Sequence, residues 1–289
     1  MDISDLTTVP LDQFQIVREL AKGANGKIYL GHRQGCSAEP VVIKLFTVST
    51  QLSIAQQAAA RHRFEREVNL LKGFKDHPHI VSYLQSGQTR VHRHRVDLQY
   101  IIMEHIAGHS LDYFIQPERL LPVSEVIRLT HQAALTLDAL QRLGYLHRDI
   151  KPANLLISDD IKVLKLSDFG VAGDIDTINQ PASELVGTPF YMSPELFSQR
   201  CYHKTHDLYA LGIVMYQMLT GHLPFYREDM SSLILEITTG QIRIPDTVDP
   251  ALAAVILRLT HLQPEQRFQT GAELAETLHQ ISRELTTRF

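Results

Sequence analysis

A polar stretch near the middle of the chain has residue types and a spacing that suit proton transfer and the binding of charged groups. Asp149 is followed two residues later by Lys151 and five residues later by Asn154, and Asp168 comes after a short apolar run. A carboxylate can accept the proton of an attacking hydroxyl, and a lysine beside it can offset phosphate charge. Asn154 and Asp168 supply the oxygen ligands that Mg²⁺ prefers. We therefore expect Asp149 and Lys151 to be catalytic, and Asn154 and Asp168 to hold a metal ion.

The same stretch resembles the eukaryotic-type (Hanks-type) protein kinases. The resemblance rests on the triplet His-Arg-Asp at 147–149, on Asn154, and on Asp-Phe-Gly at 168–170, in the order that the family has them. It extends from residue 14 to residue 281, which is nearly the whole chain. Tyr209, where many eukaryotic members have tryptophan, and the absence of tryptophan throughout resemble bacterial members.

The resemblance implies an α+β, bilobal protein-kinase fold. A small antiparallel β lobe would carry one main helix, and a larger lobe would be mainly helical. The resemblance also implies transfer of the γ-phosphate of ATP onto a protein substrate, with Mg²⁺ or alternatively Mn²⁺ as the metal. Lys151, in the run Asp-Ile-Lys-Pro, follows the pattern of kinases that act on serine and threonine, and Thr188 fits the same class.

The segment 20–28 (Leu-Ala-Lys-Gly-Ala-Asn-Gly-Lys-Ile) resembles the family's glycine-rich loop. Gly23 and Gly26 would let backbone amides approach the nucleotide phosphates without a side-chain clash. The loop departs from the family pattern at Ala21, which replaces the first glycine, and at Asn25, which replaces an aromatic tip. Its position ahead of an apolar strand that ends in lysine supports the assignment.

Lys44 is that lysine, and it is expected to contact the α- and β-phosphates, with Glu67 on the following helix as the carboxylate that positions it. Glu65 faces another side of the helix, because residues two apart do not align. Met103 would be the gatekeeper of the pocket, and the backbone after it would bind the adenine edge. The nucleotide contacts that the resemblance implies are Ala21, Gly23, Gly26, Ile28, Val42, Lys44, Met103, Glu104, Ile106 and Leu156.

Further along the chain, residues 187–195 resemble the segment that shapes the substrate-peptide groove. Glu195 is expected to form a buried ion pair with Arg267, and removing one partner of such a pair costs about 3–5 kcal/mol. Asp207 matches the aspartate that holds the catalytic loop from the next helix. We expect these three residues to support the architecture and not to take part in the chemistry.

Arg148 marks kinases whose activation loop is fixed by an acidic group facing that arginine, commonly a phosphate. Glu184 stands where the family often has a phosphorylated threonine, so it is a candidate substitute that would keep the kinase active without phosphorylation. The alternative interpretation of Glu184 is an exposed loop carboxylate. Ser183 and Thr177 are candidate phosphorylation sites, and together with Thr188 they complete the predicted activation-loop set.

Apolar runs and alternation predict strands in the first hundred residues, and 3.6-residue periodicity predicts helices after them. The predicted strands are 14–20, 27–31, 41–48, 80–84 and 98–103, with a helix at 54–72. The later predicted helices are 123–143, 204–219 and 273–285. The expected organisation is a leader (1–13), a kinase domain (14–285) and a tail (286–289). Within the domain we expect an N-lobe (14–104), a hinge (105–108) and a C-lobe (109–285).

Charge and cysteine content restrict the function classes. A formal net charge of −4 argues against a nucleic-acid binder, which needs a basic surface. Two cysteines, Cys36 and Cys201, are too few for a disulfide framework or a zinc site and fit a reducing compartment. The acidic start lacks a signal-peptide pattern, and the apolar stretches are too short to span a bilayer. We expect a cytoplasmic protein with a Ser/Thr-containing protein substrate and no membrane partner; no oligomeric state is predicted.

Two other classes fit part of the pattern. A pseudokinase would keep the fold as an ATP-binding scaffold without transfer. Ala21, and Val42 where the family has alanine against the adenine ring, are features in its favour. A small-molecule kinase of related fold would share the catalytic and metal-binding residues but should lack the segment 187–195. Transfer of phosphate onto a generic basic protein separates the three.

Overall fold

Alternating side chains build an antiparallel sheet in the first of the chain's two units, which spans Met1–Ile106 in the computed structural model. The structure describes residues 9, 11–23, 26–48, 53–91, 96–175 and 187–287. The strands of the sheet are β1 (Phe14–Gly23), β2 (Gly26–Arg33), β3 (Cys36–Val48), β4 (Tyr83–Val91) and β5 (Val96–Glu104). They are hydrogen-bonded in the order β1-β2-β3-β5-β4.

Strand β3 separates core residues from candidate site residues. Val41, Ile43 and Leu45 are buried in the apolar cluster on one face of the sheet. Because successive side chains of a strand point to opposite faces, Lys44 and Phe46 lie on the other face. The strand therefore turns its lysine away from this apolar cluster.

Helix α1 (Ile54–Gly73) begins at a capping box. The Ser53 hydroxyl accepts from the backbone N–H of Gln56 at 3.3 Å, and the Gln56 side chain accepts from the Ser53 N–H at 3.0 Å. Phe64, Glu67 and Leu71 are buried at the spacing of one helix face. A carboxylate is thus carried among the apolar residues of the packed face.

The second unit, Ala107–Phe289, is mainly helical. Its helices are α2 (Leu111–Phe114), α3 (Val123–Arg142), α4 (Pro194–Ser198), α5 (His206–Thr220), α6 (Met230–Thr239), α7 (Pro250–Leu259) and α8 (Gly271–Thr287). Its short strands are β6 (Gly108–Ser110), β7 (Tyr145–Leu146), β8 (Leu155–Ser158), β9 (Leu164–Leu166) and β10 (Gly173–Asp174). The strands pair in the orders β6-β8-β9 and β7-β10.

Helix α5 forms the core of the second unit, since nearly all of its residues are buried. It packs against α3 and α7, and α3 packs along α8. A helix that is apolar on all sides is stable only when it is covered on all sides. The first turn of α5 is therefore a fixed support for the polar loops that contact it.

The α+β class expected from the sequence is confirmed, with an antiparallel sheet and helix α1 in the first unit and a mainly helical second unit. The expected strand at 80–84 is wrong in position, because the strand runs over Tyr83–Val91. The apolar residues Ile80 and Val81, which suggested a strand, are buried just ahead of it and not in it. Among the described residues, no helix combines the length and the apolar character that a membrane crossing requires.

Candidate active site

Asp149, Lys151 and Thr188 form a closed set of polar contacts in the second unit. Lys151 Nζ lies 2.7 Å from Asp149 Oδ2 and donates to Thr188 Oγ1 at 3.0 Å. The Thr188 hydroxyl in turn donates to Asp149 Oδ1 at 3.3 Å. At Gly187, where φ is 110°, a Cβ would lie 2.7 Å from the carbonyl oxygen of Arg148. Because glycine has no side chain, the segment that begins at Gly187 can lie this close to residues 147–151, which carry Asp149 and are called the aspartate loop below.

Asn154 and Asp168 lie on adjoining segments beside Asp149. The Asn154 amide group donates to the Asp149 carbonyl at 2.7 Å and to Asp149 Oδ2 at 3.0 Å. The backbone N–H of Ser167 donates to the Asn154 carbonyl at 2.9 Å, which brings Asp168 next to Asn154. Because Asp149 engages the amide nitrogen of Asn154, the amide oxygen and the Asp168 carboxylate are the atoms suited to a hard cation.

Asp207, in the first turn of α5, holds the backbone ahead of Asp149. Its Oδ2 accepts from the N–H of His147 at 2.7 Å, and its Oδ1 accepts from the N–H of Arg148 at 2.9 Å. Asp207 is buried, so these charge-assisted hydrogen bonds form away from water. They stabilise the left-handed backbone of Arg148, whose φ is 67°. The turn that presents Asp149 is therefore fixed by the buried helix.

In the first unit, Lys44 and Glu67 form a buried ion pair. Lys44 Nζ lies 2.7 Å from Glu67 Oε1, and the two residues are 3% and 2% exposed. Strand β3 and helix α1 each contribute one charged residue on the face that the other element covers. A buried charge is stable only beside an opposite charge or hydrogen-bonding groups. The pair therefore fixes an ammonium group in this unit.

The hairpin that resembles a glycine-rich loop joins β1 and β2. Ala21 pairs with Ile28, and Gly23 pairs with Gly26 at the end of the hairpin. Gly26 has φ of 155°, and a Cβ there would lie 2.4 Å from the carbonyl oxygen of Leu45. The close approach of the hairpin to β3 therefore requires glycine. Residues 24–25, at the tip, lie outside the described residues.

The predicted adenine contacts Met103 and Glu104 lie at the end of β5. Met103 is buried and pairs with Val42 on β3. The backbone N–H of Glu104 donates to the Ser82 carbonyl at 3.0 Å, and its carboxylate accepts from the Ser82 N–H at 2.6 Å. The N–H and the carboxylate of Glu104 are therefore both engaged by Ser82 within the first unit. The other two predicted contacts are Ile106, the last residue of the first unit, and Leu156, in β8 of the second.

The Glu195–Arg267 pair is enclosed in the second unit. Arg267 donates to the two carboxylate oxygens of Glu195 at 2.9 and 2.7 Å, and from Nε to the His261 carbonyl at 2.8 Å. Its guanidinium carbon lies 4.9 Å from the ring centroid of Tyr209. Burial raises the pKa of Glu195, but the hydrogen bonds and charge of Arg267 outweigh it, so the pKa lies below the ordinary value. The pair ties the end of segment 187–195 to the helical core.

The side chain of Arg148 is held by contacts that the sequence did not predict. Its guanidinium carbon lies 4.5 Å from the ring centroid of Tyr202, and its Nη2 donates to the Asp174 carbonyl at 3.2 Å. A Cβ at Gly173 would lie 2.0 Å from that guanidinium carbon, so the glycine leaves room for the arginine. No local pattern could reveal these contacts, because the partners come from separate segments of the chain.

A hydrogen bond between Ser193 and His206 was also not predicted. The Ser193 hydroxyl lies 2.7 Å from His206 Nδ1, and both residues are buried. Burial lowers the pKa of His206 below that of an ordinary histidine. Because His206 is the first residue of α5, this bond is a second link between segment 187–195 and the helix that holds the aspartate loop.

The predicted regulatory residues Glu184, Ser183 and Thr177 lie outside the described residues. Their roles stay predictions. Arg148 and Thr188, from the same predicted set, lie in the described part, where Arg148 contacts Tyr202 and Thr188 contacts the aspartate loop.

These two sets of residues define a class of protein. A protein kinase domain has a strand lysine that pairs with a helix carboxylate. It also has an aspartate loop that adjoins an asparagine and a second aspartate. The family model described as "Protein kinase domain" matches residues 14–280. The chain therefore belongs to the protein kinase domain family, and the resemblance stated from the sequence is confirmed at that level.

Several curated relatives are serine/threonine-protein kinases by name. Nek4 of Mus musculus is 32% identical over 263 residues, which are 90% of this chain and 31% of that protein. The probable kinase pknA2 of Bifidobacterium longum is 31% identical over 281 residues, 94% of this chain and 35% of that protein. Pkn1 of Myxococcus xanthus is 31% identical over 283 residues, 94% of this chain and 39% of that protein. The chain thus spans about a third of the length of these relatives.

Proposed function

We propose that the chain is an ATP-dependent protein kinase that transfers the γ-phosphoryl group to serine or threonine hydroxyls of protein substrates. The observation that supports this most directly is the contact set of Asp149, Lys151 and Thr188. It joins a proton acceptor and a cation to the segment 187–195, which resembles the peptide groove of the family. Phosphoryl transfer to a protein hydroxyl needs this combination of positioning and charge.

Asp149 is the proposed proton acceptor. Lys151 pairs with Oδ2, whereas Oδ1 has the longer contact with Thr188, so Oδ1 is the oxygen that a substrate hydroxyl would meet. The hydroxyl oxygen forms a bond to the γ-phosphorus while the bond from that phosphorus to the bridging oxygen of ATP breaks, which leaves ADP. The hydroxyl proton passes to Asp149, and Lys151 offsets charge on the transferring group.

Lys44 is proposed to contact the α- and β-phosphates of ATP, with Glu67 holding its ammonium group. Asn154 and Asp168 would hold Mg²⁺, or Mn²⁺ in its place, and the bound ion supplies neutralisation of phosphate charge. The fit rests on the donor atoms, since Mg²⁺ sites of this kind use one or two protein oxygens together with phosphates and water. We assign the kinase domain to residues 14–285, with the adenine-binding backbone at 104–106.

Transfer of radiolabelled γ-phosphate from ATP tests the proposal. The chain is incubated with Mg²⁺ and myelin basic protein, beside Asp149→Asn and the control Asp160→Asn. Asp160 is an exposed aspartate of the β8–β9 hairpin that bonds to Ser158, so its replacement leaves the candidate site intact. We expect label on serine or threonine with the wild type and the control, and none with Asp149→Asn. Chelation of the metal with EDTA should stop the transfer by the wild type and by the control.

The other outcomes separate the alternatives. Binding of ATP without any transfer would replace the kinase proposal by the pseudokinase one, and Ala21 and Val42 would be the first residues to change. Label on a small molecule but not on protein would favour a small-molecule kinase. Equal transfer by wild type and Asp149→Asn would refute the role given to Asp149.

A further inference from the structure

The ring of Phe46 contacts several parts of the candidate nucleotide site in the first unit. Phe46 follows Lys44 by two positions on the same face of β3, and Lys44 Nζ lies 5.1 Å from the centroid of its ring. The ring meets Phe64 of α1 edge-on, with centroids 5.3 Å apart and an interplanar angle of 75°. A Cβ at Gly26 would lie 3.7 Å from Phe46 Cδ1. One side chain therefore contacts the strand lysine and the helix, and it lies beside the glycine hairpin.

These contacts connect Phe46 to both partners of the ion pair. Phe64 lies one helical turn before Glu67, and both are buried on the face of α1 that packs. A ring that packs against Phe64 therefore also restricts where Glu67 can lie. The face of an aromatic ring attracts an ammonium group, and an edge-to-face pair of rings is more favourable than packing alone.

We propose that Phe46 is a positioning residue for nucleotide binding, which holds the Lys44 ammonium group where the α- and β-phosphates of ATP meet it. The inference rests on the proposed function. Lysine carries its charge on a flexible four-carbon stem, so contacts at its end decide where the charge lies. Glu67 supplies one such contact through its carboxylate, and Phe46 supplies a second that uses no hydrogen bond and so does not compete with phosphate oxygens.

Steady-state kinetics of Phe46→Leu, Phe46→Tyr and the control Phe14→Leu test the proposal. Leucine keeps an apolar side chain against Phe64 but removes the ring face, whereas tyrosine keeps that face. Phe14 is a buried ring in the apolar cluster on the opposite face of the same sheet, and the cation near it is Arg33. Its loss therefore perturbs the packing of the same sheet on the face away from Lys44.

We expect Phe46→Leu to raise the KM for ATP about threefold to tenfold, the range expected for losing a cation–π contact and an aromatic pair. The KM for the protein substrate should not change, and the Kd of a fluorescent ATP analogue should rise with the KM for ATP. Phe46→Tyr should restore both values. Phe14→Leu should lower Tm with no change in the KM for ATP.

An unchanged KM for ATP in Phe46→Leu would overturn the proposal. An equal rise in Phe14→Leu would also overturn it, because the effect would then be a general loss of packing. If Phe46→Leu does not fold, Phe46→Met provides the same comparison with a more adaptable side chain. A wild-type chain that binds no ATP would instead refute the proposed function, so the two failures are distinguishable.

Discussion

Replacing Glu195 with glutamine should strongly destabilise the second unit, because the change leaves a buried cation without its counter-charge. Arg267 is 1% exposed, and besides Glu195 it donates to the carbonyl groups of His261 and Leu262. Glutamine keeps the shape and one acceptor oxygen, but it turns an amide N–H toward a guanidinium group that needs an acceptor. Breaking a buried ion pair from one side costs about 3–5 kcal/mol.

The expected change in melting temperature follows from this free energy. For a folding unit of 150–250 residues, 1 kcal/mol corresponds to about 2–4 °C in Tm, so Glu195→Gln should lose about 6–20 °C in scanning calorimetry. The matched control is Glu236→Gln, which breaks the ion pair of Glu236 with Arg227. The side chains of Glu236 and Arg227 are 30% and 52% exposed. Exposed pairs contribute about 0–1 kcal/mol, so the control should lose less than about 4 °C.

The pH dependence provides an independent test of the charge argument. Burial raises the pKa of Glu195, but the hydrogen bonds and charge of Arg267 lower it by more, so the folded pKa lies below the unfolded value of about 4.3. A depressed carboxyl pKa contributes stability that is complete above the unfolded pKa and is lost as pH falls through the folded one. The difference in Tm between wild type and Glu195→Gln should therefore shrink below a pH of about 4. A loss at neutral pH no larger than that of Glu236→Gln would refute the reasoning.

Three further predictions each depend on a few contacts. Asp207→Asn weakens the hydrogen bonds to the aspartate loop, and kcat should fall about 10- to 100-fold with an unchanged KM for ATP, since hydrogen bonds to charged groups are worth about 1.5–3 kcal/mol. Gly173→Ala should lower kcat with little change in Tm, because its methyl group displaces the flexible guanidinium of Arg148. Tyr100→Phe removes the hydroxyl that donates to Asp12 at 2.6 Å. Burial and Asp12 raise the pKa of Tyr100, so the wild type should lose this stability as pH rises above about 10, and the variant should not. Unchanged kcat values in the first two cases, or identical Tm curves at alkaline pH in the third, would contradict these predictions.

Patterns within one short stretch were sufficient to predict the candidate chemistry. Asp149, Lys151 and Asn154 lie in one loop, so their spacing in the chain already restricts their distances in space. Lys44 and Glu67 are further apart in the chain, yet strand and helix periodicity each turn one face toward the partner element. Two regular elements that bury their faces against each other bring such residues together without a specific local signal.

Contacts between separate segments could not be predicted in this way. An apolar or aromatic residue is expected to be buried, but its type does not identify the partner, as Tyr202 against Arg148 and Phe46 against Phe64 illustrate. The strand at 80–84 was misplaced for a similar reason, because residue type alone does not show which backbone segments are hydrogen-bonded. Buried apolar residues just ahead of a strand have the same composition as the strand itself, and hydrogen-bond pairing distinguishes the two.

The two buried ion pairs differ in a way that fits the roles proposed for them. Arg267 has five N–H donors, and the acceptors that it contacts are both oxygens of Glu195, two backbone carbonyls and the Thr205 hydroxyl. An arginine engaged on every donor suits a permanent structural joint. Lys44 carries a compact ammonium group with rotatable donors on a flexible stem, and it contacts one oxygen of Glu67 and the ring of Phe46. Such a group can keep its carboxylate partner while its rotatable donors reorient. A lysine therefore suits the proposed nucleotide site, which must bind and release phosphate oxygens, better than an arginine engaged at every donor.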